Sequence, residues 1–158
     1  MAIEKVREYL KEKGFADRIQ EFEISSATVE LAAIALNTEG KRIAKTLSFD
    51  VKGTPVLIVC AGDAKVNNSK FKEKFETKAK MFAFEEVEEK IGHAVGGVCP
   101  FAVNAGVEVY LDNSLKRFDY VFPACGSSNS AIKLSVQELE ELSNFKEWVD
   151  VCVTFEQN

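Results

Sequence analysis

"IAKTLSFDVKGTPVLIVCAG", residues 43–62, decides the fold. Two runs of β-branched and apolar residues flank Lys52, Gly53 and Thr54, which is the pattern of a β-hairpin. The second run, Val56 to Ala61, is apolar at every position, so neither of its faces meets water and it belongs in the middle of a sheet. The first run places Ile43, Leu47, Phe49 and Val51 on one face and Ala44, Thr46, Ser48 and Asp50 on the other. Lys45 falls on the face of large apolar side chains. An ammonium group there must either escape to the strand end along its own aliphatic stem or meet an anion or carbonyl, because burying it unpaired is costly.

Outward from this hairpin the chain reads as short helices and strands. Ile3 to Lys13 carries Ile3, Val6 and Leu10 on one stripe, with Gly14 as a stop. Ile19, Phe22 and Ile24 suggest a short extended segment, and "SSATVELAAIALN" a helix capped by Thr28 or a preceding serine. After the hairpin the pattern predicts a helix near Ser69 to Phe75, a strand near Lys80 to Phe84 and a helix from Glu85 to Ile91. Strands follow at 107–111, near Tyr120 to Ala124 and at 131–134. Ser135 and Glu138 form a capping-box pattern ahead of a helix from Val136 to Leu142. "WVDVCVTF" alternates as one final strand. Strands interspersed with short helices, without regular βαβ spacing, give an α/β (α+β) fold around a mixed sheet, with residues 1–158 as one domain.

Composition narrows the function. At 158 residues, 46% hydrophobic and 28% charged, the chain is an ordinary globular sequence. No apolar run approaches the roughly 18 residues of a membrane span, and the first residues lack a signal-peptide core. The expectation is a cytoplasmic protein with no membrane partner. The net charge of −5 argues against a DNA-binding protein that neutralises long stretches of duplex. Cys60, Cys99, Cys125 and Cys152 form no CxxC, which leaves free thiols in a reducing compartment as the expected state. No GxGxxG or GxxxxGK[ST] points to a nucleotide cofactor, and no cofactor is expected.

"GHAVGGVCPF", residues 92–101, concentrates the candidate chemistry. His93 and Cys99 are too few ligands for a metal site. They make a conceivable thiol–imidazole pair, although no orienting third group is identifiable. Alternatively, Gly96, Gly97 and Val98, stiffened by Pro100, form a wall of backbone N–H groups suited to an ester oxygen or phosphate. A second small-residue loop, "ACGSSNS" at 124–130, offers Gly126, Ser127 and Ser128. Residues 65–80 carry six lysines against two glutamates and are the one place where a phosphate backbone would rest.

In this order, "IAKTLSF" with Lys45, "AGD" with Asp63, Gly92-x-x-x-Gly96-Gly97-x-x-Pro100, "VYLDNSL" with Asp112 and "CGSSNSAIKLS" resemble the YbaK/ProX family of aminoacyl-tRNA deacylases. That family is related to the editing domain inserted in bacterial prolyl-tRNA synthetases. The resemblance implies a curved mixed β-sheet with flanking helices, and metal-independent trans-editing of mischarged tRNA, alanine or cysteine being the usual errors. It also implies the aminoacylated tRNA 3′ end as partner, with prolyl-tRNA synthetase as a second partner to consider. Carried over, Lys45 would contact the terminal nucleotide or aminoacyl group. The backbone from Gly96 to Pro100 would hold the carbonyl, Gly126 and Ser127 would line the opposite wall, and a tRNA 2′-hydroxyl would assist the attack. The sequence departs from the pattern at Cys99, where serine is usual, at Ala102, where glycine is common, and at Ser128, often a basic residue. Two other readings stand beside this one: a non-catalytic aminoacyl-tRNA or amino-acid sensor, and a thiol hydrolase using Cys99 with His93.

Overall fold

The computed structural model describes residues 2–155. The strands are β1 (Ile19–Glu21), β2 (Ile43–Val51), β3 (Thr54–Ala61), β4 (Ala64–Val66), β5 (Glu108–Asp112), β6 (Tyr120–Pro123), β7 (Ser130–Ile132), β8 (Leu134–Ser135), β9 (Glu147–Val149) and β10 (Cys152–Thr154). The helices are α1 (Ala2–Glu12), α2 (Val29–Leu36), α3 (Asn68–Phe75), α4 (Phe84–Ile91) and α5 (Val136–Ser143). Six strands form a curled mixed sheet in the order β8-β6-β2-β3-β5-β9, and two short antiparallel ladders, β1-β7 and β4-β10, flank it. This is the α/β (α+β) mixed-sheet fold that the sequence pattern predicts.

The hairpin seeds it. β2 and β3 pair in register from Val51↔Thr54 to Ala44↔Ala61, and the two turn residues Lys52 and Gly53 both have positive φ, 52° and 90°. Two central residues of that hand match the right-handed twist of the strands they join. β3 is then covered on both sides, and Leu57, Ile58, Val59 and Cys60 are fully buried. Burying a side chain the size of Leu57 or Ile58 contributes roughly 1.5–3 kcal/mol. α1 presses Val6 and Leu10 into this core, and Phe49, Phe71, Phe75 and Tyr110 stack in sequence with centroids 4.7–5.1 Å apart.

Helix ends follow local chemistry. Thr28 Oγ1 accepts from the Leu31 N–H at 3.2 Å, starting α2, and Ser135 and Glu138 form the expected reciprocal box at the start of α5, with bonds of 3.0 and 2.9 Å. Each such cap stabilises its helix by about 1 kcal/mol.

Three expected strands are shaped otherwise. The 80–84 segment makes only one bridge, Met81 to Phe49, before α4 begins. The 131–134 strand divides at Lys133 into β7 and β8, which pair with β1 and β6 respectively. The C-terminal "WVDVCVTF" divides at Asp150 and Val151. There the Val151 N–H donates to the buried Asp112 carboxylate at 3.0 Å instead of to a strand, and the chain crosses from β5 to pair with β4. In the last two cases a polar side chain or a change of partner strand interrupts an alternation that the residue pattern alone continues.

Candidate active site

The parallel pairing of β2 with β6 covers only Ile43 and Ala44. Further along, the Phe82 N–H donates to Ser48 O and the Asp50 N–H to Lys80 O, so the 80–82 segment closes the same edge of β2. Backbone polar groups alternate sides along a strand, so those of Thr46 point the same way as those of Ser48 and Asp50. They face the gap between the two coverings. That gap is the mouth of a cleft of about 480 Å³, within the range of small-ligand sites. Its floor is apolar, with Ala27, Val29, Ala32, Leu47, Val87 and Val98 among the lining residues, and Lys45 is the one charged side chain of the described residues that reaches it.

Lys45 is half-buried, and its ammonium lies 5.7 Å from the centre of the Phe155 ring. Phe155 is fixed there by its own N–H, which donates to Asp63 O at 2.9 Å, while Arg117 grips the Asp63 carboxylate through two nitrogens at 3.0 and 2.5 Å. That grip holds the Asp63 carboxyl below its ordinary range. Asp63 thus works as a brace behind the lysine. Beside Lys45, Thr46 Oγ1 is buried without a hydrogen-bond partner. Sequence reasoning missed Thr46, because its exposure depends on where β6 stops pairing.

The glycine-rich loop is distributed differently from the expectation. Gly96, with φ +96°, lines the cleft together with Val98. Gly97 does not. A Cβ on it would fall 2.6 Å from Gly126 C and Ser127 N, so its bareness lets the two small-residue loops touch. Gly126 in turn is clamped under α1, where a Cβ would meet Ala2 and Val6 at 3.0 Å. Pro100 is buried and borders a separate depression with Tyr9 and Glu141, so it stiffens the loop from behind and forms no wall of the cleft. Ala102 has φ +53°, a left-handed conformation that explains the glycine common at this place.

His93 and Cys99 turn inward. Both are fully buried and neither lines the cleft. His93 Nε2 lies 2.7 Å from Phe101 O, a partner that can only accept, so Nε2 carries the proton and donates it there. The Cys99 Sγ sits 3.6 Å from that same nitrogen, which has no lone pair to take the thiol proton. Burial pushes the Cys99 thiol up to about 12 and holds His93 below its ordinary value. The thiol-hydrolase reading therefore loses both its nucleophile and its base.

In the 126–130 loop, Ser127 Oγ is spent on Asn129 Oδ1 at 2.9 Å and on Ser130 Oγ at 2.7 Å. Ser128 is exposed, and its carbonyl accepts from the Ser26 N–H at 2.6 Å and the Ser26 hydroxyl at 3.3 Å. Ser128 thus holds the 24–28 segment, whose Ser26, Ala27 and Thr28 line the cleft, while Gly126, Ser127 and Ser128 are not among the residues that line it.

Comparison with known proteins gives the family of the fold. The aminoacyl-tRNA editing domain family matches residues 24–142. "Uncharacterized protein YwhH" of Bacillus subtilis (strain 168) is 51% identical over 157 residues, 99% of this chain and 100% of that protein. A proline–tRNA ligase of Lysinibacillus sphaericus is 30% identical over 90 residues, 56% of this chain but only 16% of the ligase. Among solved structures, "Crystal structure of a putative trans-editing enzyme for prolyl tRNA synthetase" superposes with a TM-score of 0.85 at 26% identity, covering 95% of this chain and 96% of that one. The chain belongs to the aminoacyl-tRNA editing domain family.

Proposed function

We propose that this protein is a freestanding trans-editing deacylase, hydrolysing the ester that joins a wrong amino acid to a tRNA 3′ end. The observation that carries the reading is the uncovered edge of β2, which borders an apolar cleft that Lys45 and Thr46 both line. In hydrolysis, water adds to the ester carbonyl carbon, the carbonyl oxygen gains negative charge, and the ribose oxygen then leaves with a proton. Lys45 and the Thr46 N–H are the donors suited to that oxyanion. No carboxylate or imidazole of the described residues lines the cleft to act as base, and the neighbouring ribose hydroxyl of the tRNA can orient the attacking water and relay its proton to the leaving ribose oxygen.

The lining also bears on the substrate. A charged amino-acid side chain would enter the cleft with no carboxylate to meet it and with Lys45 as its sole partner, and an unpaired charge there is costly. Small uncharged side chains, alanine or cysteine on a proline-type tRNA, suit the site. Such errors are the ones a synthetase built for a larger apolar residue rejects poorly by binding alone. The metal-free scheme uses Lys45 where a metal would polarise the carbonyl, and it needs prolyl-tRNA synthetase only as the source of mischarged tRNA.

The test is a panel of mischarged tRNAs incubated with wild type, Lys45→Ala and Lys45→Arg, with and without EDTA. At an effective dielectric of about 20, a charge about 4 Å from the oxyanion is worth at most about 4 kcal/mol, so Lys45→Ala should lower kcat/KM by about 100- to 1000-fold. EDTA should leave the rate unchanged. Hydrolysis no faster than in buffer for every charged tRNA refutes the enzyme, and tight binding without turnover makes the protein a sensor.

A further inference from the structure

The mouth of the cleft carries large apolar side chains that the fold does not need. Phe84 is 74% exposed, Met81 57% and Val95 46%, and all three line the opening. Phe84 is the first residue of α4, and it continues the stripe of Val87 and Ile91 that holds the helix on the core. One turn beyond the core, that stripe overhangs the cleft. Nothing in the start of α4 depends on the ring, since the Ala83 N–H is satisfied by the Glu86 carboxylate at 3.1 Å.

Charge around this rim is one-sided. Lys78 and Lys80 lead directly into Met81, both exposed, and no ion pair is formed by either among the described residues. By contrast Lys70 and Lys74, in the same lysine-rich stretch, are paired with Asp150 and Glu147. On the other side, Glu85, Glu88 and Glu89 are exposed along α4 and repel phosphate. An aromatic shelf, a cation inside the cleft and unpaired lysines along one border are the parts of a single-stranded nucleic-acid platform. Three side chains are too small a patch for a stable protein interface, which takes roughly 20–30 residues a side.

We infer that Phe84, with Met81 and Val95, is a stacking shelf for the unpaired terminal base of the tRNA 3′ end, and that the adjoining phosphates leave over Lys78 and Lys80. The inference rests on the deacylase reading and adds to it a positioning residue and a direction of exit. It makes Phe84 a determinant of nucleotide affinity, with the ester chemistry left to Lys45 and Thr46.

The test uses mischarged tRNA carrying 2-aminopurine in place of its terminal adenine, with wild type, Phe84→Ala, Phe84→Trp and the double variant Lys78→Ala/Lys80→Ala. Stacking of one base on an aromatic ring is worth about 1–3 kcal/mol, so Phe84→Ala should raise KM by about 5- to 150-fold with kcat within about twofold. The fluorescence quench seen on binding to wild type should vanish in Phe84→Ala and return in Phe84→Trp. The double lysine variant should raise KM and flatten its salt dependence while keeping the quench. A quench that persists in Phe84→Ala, or a fall in kcat with KM unchanged, overturns the shelf while leaving the deacylase intact. So does a wild-type dimer that Phe84→Ala dissociates in sedimentation, because the rim would then serve self-association. Wild type that hydrolyses no charged tRNA sinks the deacylase reading, and the shelf with it.

Discussion

Replacing Gly97 by alanine tests whether the two small-residue loops are one joint. The added Cβ would lie 2.6 Å from Gly126 C and Ser127 N and 2.8 Å from Ser127 Cα, all backbone atoms. Non-bonded carbons sit about 3.5–4.0 Å apart, so the loops must separate by about 1 Å. The 126–128 loop cannot retreat cheaply. Gly126 is clamped against Ala2 and Val6, and Ser128 O holds the bonds from Ser26. Gly97 itself has no positive φ, so the whole penalty is steric. Overpacking of this kind costs about 1–3 kcal/mol, and with no flexible side chain to yield the upper end applies, about 3 kcal/mol. Urea unfolding measures it directly. Gly53→Ala is the control: its φ is +90° with nothing within 4 Å, so only backbone strain of about 1 kcal/mol is expected there. Because Gly96 lines the cleft next door, the same displacement in Gly97→Ala should also lower kcat/KM by about 100-fold. A Gly97→Ala protein within about 0.5 kcal/mol of wild type would refute the joint.

The remaining predictions concern buried groups. All four cysteines are buried, so Ellman's reagent should label none of them in the native protein and all four in denaturant, and under the proposed deacylase reading Cys99→Ala should stay active. A single fast-reacting native thiol with loss of activity in Cys99→Ala would restore the thiol mechanism. His93 is held neutral by burial, so the unfolded chain binds more protons than the folded one just below the ordinary histidine value near 6.5. Stability should therefore fall as pH drops below about 6.5, and the slope should flatten in His93→Gln, read from urea midpoints at pH 5 and 7.5. Asp63 has the opposite origin, a carboxyl lowered by its Arg117 partner, and its stabilisation is complete above about pH 4 and lost as pH falls further. Asp63→Asn should cost about 1 kcal/mol at pH 7 and blunt the acid limb of the stability curve below pH 4.

How far the residues spoke for the fold can be seen in the strands. The β2–β3 hairpin was legible because its signals are local: a Lys-Gly turn between two apolar runs needs no knowledge of the rest of the molecule. The helix caps at Thr28 and Ser135 were legible for the same reason. The division of "WVDVCVTF" was not. Its cause is Asp112, which lies 39 residues earlier and takes the Val151 N–H that an uninterrupted strand would have given to its neighbour. Likewise Lys133 marks a change of partner from β1 to β6, and no period in the sequence records which strand a residue will meet.

The site divides along the same line. Lys45 was legible because a cation among large apolar side chains is a local contradiction, and the cleft answers it. The motif around it read as a row of ligand contacts, yet its members do three different jobs. Gly96 and Val98 border the cleft, Gly97 and Gly126 let two loops meet, and Pro100, Asp63 and Asp112 brace from outside it. A glycine kept for backbone contact and a glycine kept for a ligand look identical in a sequence, because both requirements are the absence of a side chain. Thr46 shows the converse. Its value comes from backbone polar groups turned to an uncovered strand edge, and that edge exists only because β6 ends its pairing at Ala44 and the 80–82 segment begins at Ser48. Covering that edge would erase the site without touching a single motif residue. A substitution that extended β6 pairing past Ala44 should therefore abolish hydrolysis while raising stability, which separates an edge-built site from one built by its side chains.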